Sequence, residues 1–456
     1  MQKNTNPNYS FGRVENKSIL GSYRKMMKDS LGFLDECAGL GDIVSFRIAN
    51  RRIYGLHHPD LVKEVLLTKH QDFVKKGVYK RLRPVFRKGL VTATGELWKK
   101  QRRIIQPVFT RKNVESFVSA IDEEVITFRD EMRSKAAKGE RVEIFHEMLH
   151  LSLRIMTSTM FGGDVSDRKG EISEQIHFLN NFMKESAYGI LPPMTWLPTR
   201  RNRRYKKAMA TLDAITMELV EKREKSGNYG SDFLGMLLSS KDPESGKRMS
   251  LQQIRDEAVV FFIAGHETTA AGLAWMFYLL DQNPDVLDEV SRIVDDVLPT
   301  EDSEISTENL QQFKYLERVF LESMRMYPPI YITYQEADRD ATIGGHSIKK
   351  GDSVYVSPYL SNKDTRFWSC PETFKPDRFL EEEGDNKFVF FPFGVGPRNC
   401  IGSHFALTEA KIILARLAKT LQFRNVDVAK PTPDPLVTLP AKERVMMDVV
   451  LRGSDR

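Results

Sequence analysis

One stretch of this 456-residue chain is long and apolar enough to restrict the fold. From Ala258 to Leu280 nearly every residue is apolar, and helix boundary signals flank the stretch: a Ser-x-x-Gln capping pattern at Ser250 and Gln253, and the pair Asn283-Pro284. Some 30 helical residues at ~1.5 Å each span about 45 Å, enough to cross a whole domain. A helix that is apolar all round is either buried on every side or spans a membrane.

Four polar residues interrupt the middle of this stretch: His266, Glu267, Thr268 and Thr269. A charge at mid-span is costly in lipid, so we interpret the stretch as a buried central helix. Buried polar groups without partners are costly too, so these residues are expected to line a cavity. His266 points about 100° away from Glu267 around the helix, and we do not expect it to be a ligand. Because helical threonines often bond back to the preceding turn, a structural role for the threonine pair stays open.

A second feature is a glycine-rich loop that ends in a cysteine, from Phe393 to Gly402. Two glycines and a proline in five positions predict a tight loop, and from about Ile401 the apolar residues follow helical spacing. Cys400 therefore lies at or just before a helix N-terminus, where free N–H groups and the helix dipole favour the thiolate. A thiolate in such a loop suits a soft metal, and cysteine-held haem iron is one such case. A small, buried and inert cysteine is the alternative.

The ten loop residues resemble the haem-binding loop of the cytochrome P450 family, Phe-Gly-x-Gly-x-Arg-x-Cys-x-Gly, and all six fixed positions match. This resemblance implies a haem b cofactor (iron protoporphyrin IX) with Cys400 as the axial ligand of its iron. It also implies that Arg398 contacts a haem propionate. Gly402 has a physical reason as well, because a side chain there would press on the macrocycle.

Two more motifs extend the resemblance. Trp98 and Arg102 lie four residues apart, on one face of a helix, and resemble the family's Trp-x-x-x-Arg pair, in which both side chains reach a haem propionate. An exposed basic helix with a buried tryptophan is the alternative. The stretch that begins at Ala264 is similar to the family's oxygen-activation motif, which faces the cofactor. The resemblance implies that Thr268 hydrogen-bonds bound oxygen and that Glu267 relays protons.

A third set of residues is implied to be structural. Glu322 and Arg325 match the family's Glu-x-x-Arg helix, and Arg378 matches its Pro-x-Arg-Phe segment. The resemblance implies a buried ion network that locks the segment carrying the cysteine loop. An isolated Glu-x-x-Arg pair means little, because such pairs are frequent on solvated helices.

Short strands accompany the helices, and a hairpin is predicted from Asp42 to Leu56. The resemblance extends from about residue 42 to 451 and implies the cytochrome P450 fold, mainly α with smaller β regions (α+β), with haem between the long central helix and the helix after the cysteine loop. We expect one domain over residues 1–456, with the β-rich part at about 42–60 and C-terminal strands at about 430–451 packed on the helical body, and no fused reductase.

Cysteine usage and the N-terminal sequence bear on location. The three cysteines, Cys37, Cys370 and Cys400, are odd in number and widely spaced, which argues against a disulfide framework and for a reducing compartment. Residues 1–30 contain no apolar run of signal-peptide or membrane-span length. We therefore expect a soluble cytoplasmic protein without a transmembrane anchor. The apolar, proline-rich break from Ile190 to Pro198 is interpreted as a membrane contact, a lid over a lipophilic substrate, or a plain helix connection.

Basic residues concentrate between Lys75 and Arg103, where eleven Lys and Arg face a single acid, Glu96. Such a face steers acidic partners, although many charge runs are only solvated. With no flavin or iron–sulfur module attached, the resemblance implies a separate electron donor, a ferredoxin or flavodoxin with its reductase, which docks near Lys99 and Arg103. No recognised nucleic-acid module accompanies the charges, so we do not expect nucleic acid to bind.

The activity implied by the resemblance is a monooxygenase reaction on a lipophilic small molecule such as a fatty acid or terpenoid. One oxygen atom of O₂ enters the substrate and the other is reduced to water. A peroxide-driven peroxygenase usually lacks the acid–threonine pair, and a non-enzymatic haem sensor would not need proton-relay groups in a buried helix; both remain alternatives. The family's substrate-contact regions correspond to apolar residues that would also form an ordinary core: Val78, Leu82, Phe86, Phe261, Ala264, Ile330, Ile332 and Leu436.

Overall fold

The computed structural model describes residues 9–15, 18, 20–162, 168–188, 193–380 and 387–453. Helices account for most of the ordered elements, as follows: α1 (Tyr23–Lys28), α2 (Ser30–Leu40), α3 (Pro59–Lys63), α4 (Val78–Phe86), α5 (Gly95–Ile105), α6 (Arg111–Glu115), α7 (Val118–Ala137), α8 (Ile144–Phe161), α9 (Lys169–Tyr188), α10 (Arg200–Ser226), α11 (Phe233–Ser239), α12 (Leu251–Gln282), α13 (Pro284–Val297), α14 (Thr307–Gln312), α15 (Lys314–Met326), α16 (Pro358–Ser361) and α17 (Ser403–Thr420).

The strands are short and form small sheets, which fits the predicted mainly-α class with smaller β regions. They are β1 (Phe11–Arg13), β2 (Ile43–Ile48), β3 (Arg51–Leu56), β4 (Phe73–Val74), β5 (Arg141–Glu143), β6 (Thr333–Ala337), β7 (Ala341–Ile343), β8 (His346–Ile348), β9 (Ser353–Val356), β10 (Leu421–Asn425) and β11 (Met446–Leu451). Contacts divide the chain into two compact units, one of residues 1–80, 325–373 and 378–400, the other of residues 81–324, 374–377 and 401–456.

The first unit is built on a six-stranded sheet in the order β1-β2-β3-β9-β6-β4. Strands β2 and β3 pair antiparallel from Ile43 opposite Leu56 to Ile48 opposite Arg51, which confirms the predicted hairpin. The turn places Ala49 at φ 50°, in the left-handed region. Apolar residues of the sheet, of α3 and of the loop before Cys400 form one core: Ile43, Tyr54, Leu56, Leu61, Val62, Val65, Phe73, Ala337, Ile343, Ile348, Val354, Val356, Phe388 and Phe391.

The second unit is organised around α12. Its first turn carries the predicted capping box, in which the Ser250 hydroxyl accepts from the Gln253 N–H and the Gln253 side chain accepts from the Ser250 N–H. Helices α8, α9, α10, α11, α13 and α17 and strand β10 contact it. By length and composition α12 is the one helix of the described residues that passes as a membrane span, but 83% of its most apolar window is buried in the protein. This confirms the predicted central helix.

A three-stranded sheet, in the order β10-β11-β5, completes the second unit. Strand β10 follows directly on α17 and pairs antiparallel with β11, from Leu421 opposite Leu451 to Asn425 opposite Met447. The predicted C-terminal strand is thus real from Met446 onward. Before it, residues 432–442 form a narrow turn with a single bridge between Pro433 and Ala441.

Candidate active site

The cysteine loop is held in a tight turn by its own backbone. The Cys400 N–H donates to the Phe393 carbonyl at 2.7 Å, and the Asn399 N–H donates to the Gly396 carbonyl at 3.1 Å. Gly396 has φ 76°, and a Cβ atom there would lie 2.1 Å from the Leu66 carbonyl oxygen. Only glycine allows the loop to pack this closely. The loop therefore presents Cys400, which is exposed and outside any disulfide, at a fixed place three residues before α17 begins.

The donor set of the described residues fits the cofactor that the loop motif implies. No group of three or more His, Cys, Asp or Glu side chains lies close enough to hold a metal ion in the ranges that the structure describes. A structural zinc site needs about four protein ligands, so a lone thiol does not suit zinc. Iron in a porphyrin already has four equatorial nitrogens and needs only an axial ligand from the chain. An exposed, backbone-fixed Cys400 meets that need.

The middle of α12 is open at one place. From Asp256 to Leu280 every residue is buried except Ala264, Gly265 and Thr268, which are partly accessible. The Thr268 hydroxyl donates to the Ala264 carbonyl at 2.8 Å, and the Thr269 hydroxyl donates to the Gly265 carbonyl at 2.9 Å. Both threonines thus make the back-bond that the sequence left open, but only Thr268 reaches the accessible patch. These features mark a small polar opening in an otherwise buried helix.

Glu267 lies beside this opening and is held from another part of the chain. Its side chain is buried, and Oε1 accepts a hydrogen bond of 2.8 Å from the Thr438 hydroxyl. The partner is 171 residues away, so nothing in the sequence pointed to Thr438.

His266 is turned toward α9, away from Glu267. Its Nδ1 bonds the Phe262 carbonyl and its Nε2 lies 3.4 Å from Asn180 Nδ2. Burial lowers the pKa of this imidazole. His266 therefore serves as a neutral link between α12 and α9.

The remaining residues implied to contact the cofactor lie on α5, in the cysteine loop and at the N-terminus of α17. Trp98 and Arg102 are on α5 and both are partly buried; Arg102 Nε donates to Gln106 Oε1 at 3.1 Å. Arg398 ends a short 3₁₀ turn in the cysteine loop and is also partly buried. Gly402 caps the N-terminus of α17, whose Ala406 N–H donates to the Gly402 carbonyl at 2.9 Å.

The three residues implied to be structural are completely buried. Glu322 accepts from the Lys375 N–H at 3.0 Å. Arg325 donates to the carbonyls of Asn362 and Thr373 at 2.9 and 3.3 Å. Arg378 donates to the carbonyls of Ser369, Cys370 and Thr373 at 3.0, 3.4 and 3.1 Å. Both guanidinium groups lie within 6 Å of the Trp368 ring centroid, at 5.3 and 5.8 Å.

The eight residues implied to contact substrate differ in exposure. Leu82, Phe86 and Phe261 are buried, and the Phe261 ring packs against Phe109 and Phe233 with centroids 5.3 and 4.6 Å apart. Ile330 is 37% exposed. The other four are partly buried: Val78, Ala264, Ile332 and Leu436.

Of the apolar break at residues 190–198, residues 190–192 lie outside the described ranges; beyond them Met194 and Trp196 are exposed.

Comparison with known proteins identifies the family. The sequence profile of the family described as Cytochrome P450 matches residues 18–447, nearly the whole chain. The chain is a cytochrome P450. The expected family and α+β fold are thereby confirmed, and with them the enzyme class: cytochrome P450s are haem-thiolate oxidoreductases that act as monooxygenases.

Three curated cytochrome P450 relatives illustrate the range of similarity. Cyclooctatin synthase of Streptomyces melanosporofaciens is 30% identical over 93% of this chain and 92% of that protein. Pentalenene oxygenase of Streptomyces avermitilis is 28% identical over 95% of this chain and 96% of that protein. Cytokinin hydroxylase of Arabidopsis thaliana is 32% identical over 88% of this chain and 78% of that protein. Each alignment therefore covers most of this chain and most of the relative, for bacterial and plant enzymes alike.

Several cations in the basic segment of this cytochrome P450 form ion pairs that its sequence did not indicate. Arg103 pairs with Asp242 at 3.2 Å and with Glu244 at 2.9 Å, and Lys99 pairs with Glu96 at 2.7 Å. Arg87 pairs with Asp213 at 2.6 Å. These three of the eleven cations counted between residues 75 and 103 are thus paired locally, and a docking face there would depend on the other cations.

One buried carboxyl group escaped the sequence reasoning. Glu257 of α12 is completely buried, and its Oε2 accepts from the Leu90 N–H at 2.9 Å. Within the described residues its Oε1 has no hydrogen-bond partner. Burial, with a smaller effect of Asp256, raises the pKa of Glu257 to about 8. The side chain is therefore neutral at pH 7, and its position among apolar residues of α12 gave no sign of this in the sequence.

This carboxyl group makes stability depend on pH in a defined direction. The unfolded chain releases the Glu257 proton near pH 4.5 and the folded protein near pH 8, so between these values the folded state binds more protons. Stability therefore falls as pH rises through this window, by up to about 1.4 kcal/mol per pH unit. Glu257→Gln, which keeps the acceptor for Leu90, should remove this loss. We expect the variant to gain stability over wild type progressively from pH 5 to pH 8, reaching roughly 3 kcal/mol.

Urea unfolding of both proteins at several pH values measures the difference, because all other titrations cancel between them. The exposed Glu304→Gln variant is the control and should follow wild type within about 0.5 kcal/mol at every pH. A difference between Glu257→Gln and wild type that stays constant with pH would show that Glu257 is ionised in the folded protein.

Proposed function

We propose that this cytochrome P450 is a haem-thiolate monooxygenase of terpenoid-like or similarly lipophilic small molecules, and that its cofactor is haem b. In the proposed reaction one C–H bond of the substrate becomes C–OH. The second oxygen atom of O₂ leaves as water; the two protons for this water come from solvent through the protein, and the two electrons come from a separate donor protein. The cofactor, when bound, supplies the oxygen activation and the electron transfer chemistry.

The observation that carries the proposal is the opening on α12. Ala264, Gly265 and Thr268 are its accessible residues between Asp256 and Leu280, and the buried Glu267 is adjacent to them. A haem sensor has no use for an acid and a hydroxyl at such a place in a buried helix, where each is costly to desolvate. A monooxygenase does, because it must bring protons to oxygen while bulk water is excluded.

Roles for the individual side chains follow from their chemistry. Cys400 would supply the thiolate that holds the haem iron, and the fixed loop backbone would orient its side chain. Trp98, Arg102 and Arg398 would bind the propionates, to which arginine offers a charged, multiple donor. Ala264 and Gly402 would leave room for the macrocycle.

Proton delivery is assigned to Glu267 and Thr268. The Thr268 hydroxyl donates to the Ala264 carbonyl in the resting structure, which leaves its oxygen free to accept and lets it rotate to donate elsewhere. Glu267, an acid one residue away, would recharge that hydroxyl with protons. The two groups would thus act in series, from a buried carboxyl group to a hydroxyl at the opening.

The substrate class rests on two kinds of support. The residues implied to contact substrate are apolar (Val78, Leu82, Phe86, Phe261, Ala264, Ile330, Ile332 and Leu436), and fixed charge is absent from the set. Two relatives, cyclooctat-9-en-7-ol 5-monooxygenase and pentalenene oxygenase, carry names that denote cyclic, hydrocarbon-rich substrates. A terpenoid-like molecule suits both observations better than a fatty acid, because the set offers no cation for a carboxylate.

The electron donor is proposed to be an acidic ferredoxin or flavodoxin in the cytoplasm. Three thiols outside disulfides, Cys37, Cys370 and Cys400, support a reducing compartment. Exposed or partly exposed cations that lack a nearby carboxylate in the described part of the chain, such as Lys88 and Lys100, remain candidates for docking.

Thr268→Ala tests the proposed function directly. We expect the variant to bind haem and substrate normally but to lose most product, with about 10²-fold less product per electron pair and a matching rise in hydrogen peroxide. Thr269→Ala is the matched control, because Thr269 makes the same back-bond to Gly265 but is buried; it should stay coupled. Product and peroxide are measured with a surrogate ferredoxin system, O₂ and a panel of cyclic terpenes.

Two results would contradict the proposal. A peroxygenase would be favoured if the wild type turned over substrate as fast with hydrogen peroxide alone as with O₂ and the electron donor, and if Thr268→Ala did not change the product yield. A substrate panel that shifts the iron spin state of wild type but never yields an oxygenated product would favour a sensor.

A further inference from the structure

The segment from Thr432 to Lys442 forms a narrow turn that is pinned by its own backbone. The Lys442 N–H donates to the Thr432 carbonyl at 2.8 Å, and the Asp434 N–H donates to the Pro440 carbonyl at 2.7 Å. At its tip the Leu436 N–H donates to the carbonyls of Asp434 and Thr438 at 2.9 and 3.0 Å. The tip is therefore a rigid unit, and Leu436 and Thr438 cannot move independently.

Helix α12 binds this turn at two points. The Thr438 hydroxyl donates to Glu267 Oε1 at 2.8 Å, and Trp275 Nε1 donates to the carbonyl of the next residue, Leu439, also at 2.8 Å. All four residues are buried, with exposures of at most 5%. Trp275 follows Glu267 by eight positions, about two turns of helix, and its long side chain leans back toward the helix N-terminus. The turn is thus attached along one side of α12.

A hydroxyl group in this place has a specific effect on Glu267. Threonine and valine have nearly the same shape, so packing alone would not require the oxygen, and burying a hydroxyl without a partner is costly. The hydrogen bond from the Thr438 hydroxyl to Glu267 Oε1 is directional, and it restricts the rotamer of Glu267. Without it the three side-chain torsions of Glu267 would be less restricted.

We propose that Thr438 is the positioning residue for Glu267, and that it fixes the carboxyl group in the orientation from which protons reach Thr268. This inference rests on the proposed monooxygenase function. It also gives the turn a second role: its tip carries Leu436, so the residue that would contact substrate and the residue that orients the acid belong to one rigid segment. Substrate that presses on the tip would change the position of Glu267.

The test uses two substitutions at Thr438 that separate hydroxyl from shape. Thr438→Val keeps the volume and removes the donor; we expect about tenfold less product per electron pair, as for the loss of roughly one buried hydrogen bond. Thr438→Ser keeps the donor and removes a methyl group; it should retain near wild-type coupling. A residue that acted only by packing would give the opposite order.

The control variant lies on the same turn. The Thr432 hydroxyl also donates to a carboxylate, Glu443 at 2.8 Å, but this pair is exposed and remote from Glu267. Thr432→Val should leave coupling unchanged. Substrate affinity and the substrate-induced spin-state shift, measured by optical titration, should be unaltered within about twofold in Thr438→Val, because the hydroxyl does not contact the substrate in this proposal.

A double-mutant cycle shows whether Thr438 acts through Glu267. In a Glu267→Gln background, Thr438→Val should cause no additional loss of coupling. An additive loss would overturn the inference, and so would wild-type coupling in Thr438→Val while Glu267→Gln is uncoupled. If the wild type itself forms no oxygenated product, the proposed function fails rather than this inference. A crystal structure of Thr438→Val adds a readout independent of turnover: we expect Glu267 in more than one rotamer.

Discussion

Cys400→Ser is expected to abolish the red-shifted absorption band that a thiolate-ligated haem shows in its reduced carbon monoxide complex. The serine hydroxyl is similar in size, so the loop should fold as before, with the residue 400 N–H still bonded to the Phe393 carbonyl. It is a far weaker base than a thiolate and does not push electron density onto the iron. Monooxygenase activity should fall below detection, while haem content falls less.

The matched control is Cys370→Ala, which removes another exposed thiol of the same unit. This variant should keep the full thiolate band, because Cys370 lies outside the glycine-rich loop. The red-shifted band is recorded after dithionite reduction and carbon monoxide addition, with haem quantified separately. Retention of the band in Cys400→Ser, or its loss in Cys370→Ala, would show that Cys400 is not the thiolate ligand.

The long helix and the cysteine loop were predictable because their signals are local. The capping box at Ser250 and the apolar run up to Leu280 specify α12 without reference to any other part of the chain. Gly396 is needed by a turn that its neighbours in sequence define, although the Leu66 carbonyl that excludes a side chain there could not be foreseen. Backbone geometry that depends on a few adjacent residues is what sequence patterns describe best.

Partners across the sequence were not predictable. Nothing in the segment around Thr438 indicates that its hydroxyl bonds a carboxylate 171 residues earlier. Likewise, Arg103 looked like a free cation, but it pairs with Asp242 and Glu244. A charge run in one segment says nothing about acids that the fold brings from another, so the net charge of a segment overstates the charge of a surface.

The sequence did not show that Glu257 is completely buried. Glu257 comes just before the apolar run that begins at Ala258, so the sequence suggests an accessible side chain. In the structure it is completely buried and neutral at pH 7. The substrate contact of Phe261 stays a prediction; in the structure its ring packs against Phe109 and Phe233. Helical periodicity identifies which residues share a face, but it does not say whether that face meets a core or a cavity.

Removing the Arg378 guanidinium is expected to cause the largest loss of stability of all the substitutions proposed for this protein. Arg378 is completely buried, and its donors serve the carbonyls of Ser369, Cys370 and Thr373. Arg378→Ala leaves the Ser369 carbonyl without this donor, which costs about 1–3 kcal/mol, whereas the Cys370 carbonyl keeps the Thr373 N–H and the Thr373 carbonyl keeps Arg325. The family resemblance implies that Arg378 also belongs to a buried ion network; loss of one partner of such a network costs about 3–5 kcal/mol, and we expect the free energy of unfolding to fall by that amount.

A second variant keeps the prediction measurable if Arg378→Ala does not fold. Arg378→Lys retains the charge but replaces a planar fork with a single ammonium group, which cannot reach all three carbonyls at once. The free energy of unfolding of Arg378→Lys should lie between that of the wild type and that of Arg378→Ala. Arg292→Ala is the control: Arg292 pairs with Glu289 and Asp296, but it is 60% exposed, and such pairs contribute at most about 1 kcal/mol.

Urea unfolding followed by tryptophan fluorescence should therefore order the proteins as wild type, Arg292→Ala, Arg378→Lys and Arg378→Ala, from most to least stable. The guanidinium of Arg378 also lies 5.8 Å from the Trp368 ring centroid, so the fluorescence of the folded Arg378→Ala variant should change as well. Because residues 378–400 continue from this arginine to Cys400 within one unit, the same variant should bind haem less tightly than wild type. Equal midpoints for Arg378→Ala and Arg292→Ala would mean that the buried carbonyls find other donors and that the network does not support the cysteine loop.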